Sequence, residues 1–217
     1  MVFKRKLTKQ EKQIIEQIID FVEDKHNRSE GHDYSHIMEV TRYSIEIGHK
    51  IKDEVNPFVL ICGALLHDIG RLNAPNGLFH GLDGASRAEE YLESLIDDLA
   101  TIRKISKIVV RHTPKSMIPP QAPEEKVVFD ADTLDRLGLM GMMRGIMGQS
   151  GTIEHIIENR IAKRMADYHK LYYKESRKLG KGMHKETLEI VTKLRKGMTK
   201  RAKQIHEIES YKMILDE

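Results

Sequence analysis

The sequence predicts a helical protein, and three observations predict it. Apolar residues recur three and four apart in nearly every long segment, the period of a helix with one buried face. Capping residues stand where those periodic segments begin. The composition, 32% charged and 40% hydrophobic with no tryptophan, suits a soluble, charge-rich chain. At 217 residues the chain fits one domain with an appendage and can bury a real core.

The net charge of +3 is too mild to argue for nucleic acid, although Lys and Arg crowd the C-terminal part. That part mixes Glu with the cations and lacks interleaved aromatics, so a solvated helix face explains it and no nucleic-acid partner is expected. The single cysteine, Cys62, lies in an apolar segment and reads as a small core residue of a protein in a reducing compartment. The start, MVFKRKLTKQEK, has no apolar signal region. The longest apolar run falls far below the roughly 20 residues of a membrane span. A cytoplasmic location with no membrane partner is the expectation.

Taken in order, Thr8 and Glu11 form a capping box, and Ile14, Ile15, Ile18, Ile19 and Val22 give the first helix its buried face, ending near Asn27. Next, Gly31-His32-Asp33-Tyr34-Ser35-His36 opens a helix capped by Asp33 or Ser35 and running to about Lys52. Ile37, Val40, Tyr43 and Ile47 are its packed face. His36, beside that stripe, is the better ligand candidate, and His32 reads as a supporting or capping group.

Asn56-Pro57 starts the segment around which the chain is organised, with Pro in its first turn. Val59 to Leu66 is apolar or small throughout and runs straight into His67-Asp68, with Gly70 as a helix stop. A core-seeking segment thus delivers an imidazole and a carboxylate side by side, and a carboxylate is rarely buried without a partner. Arg71–Gly84 reads as a loop carrying His80. Asp83 or Ser86 then begins a helix with Ala88, Tyr91, Leu92 and Leu95 inward. Thr101 caps the next, with Ile102, Ile105, Ile108 and Val109 as its apolar face. It ends at Arg111-His112, before Pro114 and Lys115. His112 either offsets the helix dipole or faces a metal.

Ser116–Pro123 is a proline-rich loop. Asp130, Asp132 and Asp135 follow within a helical pattern of Val127, Val128, Leu134 and Leu137. Asp130 fits the solvent face, whereas Asp132 or Asp135 must lie nearer the packed stripe, where a carboxylate needs a cation or donors. The Gly- and Met-rich run Gly138–Gly148 reads as core or an adaptable pocket wall. From Thr152 the chain becomes charged amphipathic helices, broken around Gly180–Gly182 and near Gly197. His155, His169, His184 and His206 there read as surface or packing residues. This tail packs on the core, supports a homo-oligomer, or both.

His36, then His67-Asp68, then Asp132 spell His…His-Asp…Asp. With Gly31–His36 and Asp130–Gly138 around them, these residues resemble the HD-domain metal-dependent phosphohydrolase superfamily, over residues 8–150 and loosely beyond. The resemblance implies an all-α fold: an HD-type helical bundle at 1–150, with C-terminal helices at 151–217 packed on it rather than forming a separate domain. It implies that His36, His67, Asp68 and Asp132 bind a divalent cation, and that the substrate is a small phosphate ester, a nucleotide cleaved at a phosphomonoester or pyrophosphate bond. Arg71 stands where many relatives carry an acid. His80 and His112 stand where some branches place ligands for a second metal.

Two imidazoles and two carboxylates suit Mn²⁺ first, and Fe²⁺, Co²⁺, Ni²⁺ or Zn²⁺ next. Such a cation acidifies a water and polarises a phosphoryl oxygen. Asp68 is placed to ligate and to orient that water. Among nearby cationic groups, His112 and Lys115 are the first candidates to stabilise transition-state charge, with Arg71 and His80 behind them. Two other classes stay open: a di-iron oxygenase using His36, His67, Asp68, His80, His112 and Asp132, and a nucleotide-sensing module without catalysis.

Overall fold

The computed structural model describes residues 3, 5–26, 33–71, 80–113, 118–147 and 149–215, with side chains as far as 211. Among them the chain is all-α: α1 (Lys9–Lys25), α2 (Tyr34–Lys50), α3 (Pro57–Leu66), α4 (His80–Glu93), α5 (Leu99–Arg111), α6 (Pro123–Asp135), α7 (Gly138–Ile146), α8 (Ile153–Ile156) and α9 (Lys174–Leu215). A 3₁₀ turn, Ile69–Arg71, follows α3. A π-helical turn, Ile157–Ile161, and a 3₁₀ stretch, Ala162–Lys170, follow α8. No helix among the described residues is long and apolar enough to cross a membrane.

The core forms around α3, every residue of which is buried. Asn56 caps it, its side chain accepting from the amides of Phe58 and Val59. A helix apolar all round must be enclosed on all sides, and α1, α2, α5 and α6 enclose it. Each contributes one stripe: Ile14, Ile18 and Val22 from α1, Ile37, Val40 and Ile47 from α2, Ile105 and Ile108 from α5, Val127 and Leu134 from α6. The Thr8–Glu11 capping box forms as its spacing predicts.

Several local expectations are corrected. The central helix stops at Leu66, not Gly70, so His67 and Asp68 leave its end in a turn closed by the Arg71 amide on the Asp68 carbonyl at 2.8 Å. His80 is not a loop residue; it opens α4 and is wholly buried. The α5 cap is Asp98, whose carboxylate accepts from the Ala100 amide at 3.0 Å and the Thr101 hydroxyl at 2.7 Å. Asp130 is fully buried, not solvent-facing, and accepts from the backbone amides of Tyr172 and Tyr173 at 2.7 and 2.9 Å. It thereby pins the segment that leads into α9. The methionine run is mostly outside the core: Met142 is buried, but Met140 and Met143 are 71% and 52% exposed.

No break occurs at Gly180–Gly182 or Gly197, because α9 runs through all three. Gly180 has a packing reason, since a Cβ there would stand 2.6 Å from Leu134. His184 stacks on Tyr168 with ring centroids 4.4 Å apart, while His155, His169 and His206 are exposed. α9 packs on α6 and α7, with Val191 joining Met142, Ile161 and Ala162 in a smaller apolar cluster.

Candidate metal centre

Five successive helices each bring donors to one buried spot. His36 sits in the first turn of α2, and the Asp33 cap accepts its backbone amide at 3.0 Å. His67 and Asp68 follow α3, His80 opens α4, His112 closes α5, and Asp132 lies near the end of α6. All six are buried. His80 reaches the spot because Gly70 allows it: a Cβ on Gly70 would stand 1.9 Å from the His80 carbonyl oxygen. Only glycine permits so close an approach of two backbones.

The donors fall into two triads. One atom from each of His36, His67 and Asp132 lies within 4.8 Å of the others, and the same holds for Asp68, His80 and His112. Asp68 also faces the first triad. Its Oδ2 is 3.4 Å from His36 Nε2 and 3.7 Å from His67 Nε2. Its Oδ1 is 3.2 Å from His112 Nε2 and 3.7 Å from His80 Nε2. One carboxylate therefore stands between two pairs of imidazoles.

Hydrogen bonds from the far ring nitrogens fix the imidazoles. His67 Nδ1–H donates to the Ala64 carbonyl and His112 Nδ1–H to the Val109 carbonyl, each at 2.7 Å. Both rings thus present Nε2 as a lone pair to the centre, as metal-binding histidines do. His36 Nδ1–H donates to Asp135 Oδ2 at 2.6 Å, and Arg144 pairs with the same carboxylate.

The electrostatics follow. Burial drives His67 down to about 3, so it stays neutral. Burial also opposes the charged form of His36, but Asp135, Asp68 and Asp132 outweigh it and raise that ring to about 9. Burial alone would raise Asp132, yet the surrounding His36, His67, Arg136 and His112 hold it below the ordinary range. Ring nitrogens stand 3.3 Å apart, His67 Nε2 from His36 Nε2 and His80 Nε2 from His112 Nε2, a spacing that needs a proton or a cation between each pair. The mixed imidazole and carboxylate set fits a divalent transition metal.

The structure thus gathers His36, His67, Asp68 and Asp132, and brings His80 and His112 to the same place. Arg71 Nε donates to Asp68 Oδ1 at 3.3 Å. Lys115 and His32 lie outside the described residues. Asp135 had no assigned role from sequence, though its place three residues after Asp132, on one helix face, was a usable signal.

Comparison with known proteins bears on the fold. A family profile described as HD domain matches residues 33–137. The uncharacterized protein YpgQ of Bacillus subtilis is 28% identical over 127 residues, which are 56% of this chain and 58% of YpgQ. The match therefore spans less than two thirds of that relative's length. The crystal structure of B. subtilis YpgQ in complex with ADP superposes with a TM-score of 0.67 at 22% identity, covering 87% of this chain and 96% of that one. An HD-superfamily hydrolase from Bacillus thuringiensis superposes at 0.64 and 20% identity, covering 87% and 98%. At those identities the structural likeness is one of fold.

Proposed function

Because the HD domain profile matches residues 33–137 of this chain, we propose that it is a divalent-metal-dependent phosphohydrolase acting on nucleotides. The observation that carries the reading is Asp68, a buried carboxylate whose two oxygens each face a pair of buried imidazoles. A cation held there lowers the pKa of a water and polarises a phosphoryl oxygen.

The protein's own groups do the rest. His36, His67 and Asp132 would hold a first cation, and Asp68 would also hold it and orient the attacking water. His80 and His112 would complete a second position with Asp68, or with one cation bound would face the phosphoryl oxygens. Arg71 neutralises Asp68 and is within reach of substrate charge. Lys115 follows His112 closely in sequence and is the remaining candidate for stabilising the transition state. Mn²⁺ is the proposed ion, given nitrogen and oxygen donors in similar number.

A cavity of about 360 Å³ is lined in part by Thr113, Phe129, Lys170 and Tyr172. Thr113 follows His112, and Phe129 lies one turn before Asp132, so the cavity suits the flat organic part of a nucleotide. The ADP held by YpgQ supports a nucleotide ligand.

The test pairs elemental analysis with a phosphate and pyrophosphate release screen over nucleotides with added Mn²⁺. Metal on the wild type and released product, both lost in His67→Ala and Asp68→Ala while the proteins stay helical, is the expected result. Retained turnover in both variants would sink the reading. The two triads also favour a second reading, a di-iron oxygenase. Two irons per chain, oxygen consumption and no phosphate release would select it.

A further inference from the structure

α9 outruns the body it packs on. Its first half is buried at Ser176, Gly180, Thr187 and Val191, where it lies on α6 and α7. Arg195 then forks onto Glu158 at 2.9 and 2.6 Å and ties the helix to the π-helical turn. Leu194 and Met198 are half-buried, and every residue from Thr199 to Tyr211 is exposed. At a rise of 1.5 Å per residue, the stretch from Thr199 to the helix end at Leu215 is about 25 Å long.

An isolated helix that short is marginal in water, and helices in proteins draw their stability chiefly from packing an apolar face. Gly197 weakens its base, since a Cβ there would meet nothing within 4 Å and glycine lowers helix propensity. The stretch nevertheless carries an apolar stripe: Ile205, Ile208 and Tyr211 are 49%, 64% and 67% exposed. Val191, Leu194, Met198, Ile205 and Ile208 fall on the a and d places of one heptad frame, the seam along which two helices wind together. Arg201 fills the polar place in it, where its alkyl stem can pack while the guanidinium reaches out. Val191 and Leu194 already pack with Met142, Ile161 and Ala162, so the seam begins in the protein's own core and runs on into solvent.

The charges choose the partner and its direction. Between 193 and 203 the sequence carries Lys193, Arg195, Lys196, Lys200, Arg201 and Lys203 and no acid. From 207 onward Glu207, Glu209, Asp216 and Glu217 outnumber Lys212. A second copy of the helix running the same way would set cations on cations. A copy running the opposite way sets the basic stretch of each on the acidic stretch of the other, with Lys203 near the middle.

We propose that the distal half of α9 pairs antiparallel with the same segment of a second copy of this chain, making the protein a homodimer. Ile205 and Ile208 of each copy are covered by the Arg201 stem and Met198 of the other. The same patch serves both copies, so the assembly closes at two. The interface lies beyond the matched HD region and is independent of the chemistry at the metal centre.

The experiment is sedimentation of the full chain and its variants over about 1–100 µM. The wild type is expected at twice the chain mass of 25.0 kDa. Alanine is the better helix former, so Ile205→Ala with Ile208→Ala removes the seam without weakening the helix. That double variant should shift the association midpoint upward about tenfold or more. Met140→Ala, on the exposed face of α7, should associate as the wild type does. Direction is read by oxidising a mixture of Met198→Cys and Ile208→Cys proteins, in which the native Cys62 is buried. The mixed disulfide should exceed both self-linked products, and the reverse overturns the antiparallel pairing. A wild type at 25.0 kDa throughout overturns the proposal, as does unchanged association in the α9 double variant or a dimer lost in Met140→Ala alone. A monomer that gains mass only on added duplex RNA overturns it too, and assigns the basic stretch to nucleic acid.

Discussion

Asp135 meets the centre at His36, and it decides how His36 can act. Its carboxylate accepts a hydrogen bond from the Nδ1–H of that ring at 2.6 Å and is itself held by Arg144. The ring is thereby oriented, and Nε2 is turned towards Asp68, Asp132 and His67. A carboxylate behind a metal-binding imidazole raises its basicity and fixes its tautomer. Asp135→Asn keeps the shape but removes the charge, and loss of such support costs about 10–100-fold in metal affinity. The expected outcome is weaker metal binding in a chelator competition, with turnover largely restored at saturating metal. Unchanged metal affinity would reduce Asp135 to a structural partner of Arg144.

Among the elements, helices were legible wherever chemistry local in sequence fixes them. The Thr8 box, the Asp33 cap and the Asn56-Pro57 start form as their residues dictate, because each satisfies amides within three positions. His80 and α9 were misread because the deciding contacts are distant in sequence. The start of α4 packs against the bare backbone of Gly70, and α9 is carried through its glycines by packing on α6 and α7. Two substitutions separate these cases. At Gly182 a Cβ would meet nothing within 4 Å, so Gly182→Ala should raise stability by about 0.5–1 kcal/mol in a denaturant titration. Gly70→Ala forces backbone against backbone and should cost about 1–3 kcal/mol or more, together with loss of metal binding through displaced His80. A neutral Gly70→Ala would show that α4 can shift without disturbing the centre.

Over the whole molecule, His36 and His67-Asp68 were readable because each sits at a helix end or beside an apolar stripe, whereas Asp132 was set apart from Asp135 only by the resemblance to HD-domain hydrolases. The split of Asp68 between two triads was not readable, since which way each carboxylate oxygen points depends on how α2, α4, α5 and α6 close around α3. This long-range assembly has a thermodynamic consequence. Six donors from five helices meet only in the folded chain, so a cation bound there stabilises the native state alone. At a hundredfold excess over its dissociation constant that linkage is worth about 2.7 kcal/mol. For a chain of this size each kcal/mol moves the midpoint by about 2–4 °C, so chelation should lower Tm by roughly 5–10 °C. His67→Ala should show no chelator-dependent shift, because its first triad is incomplete with or without metal. A wild type whose Tm is indifferent to both chelator and added Mn²⁺ would mean that the buried histidines and aspartates satisfy one another through protons, and that the convergence of five helices serves packing rather than metal.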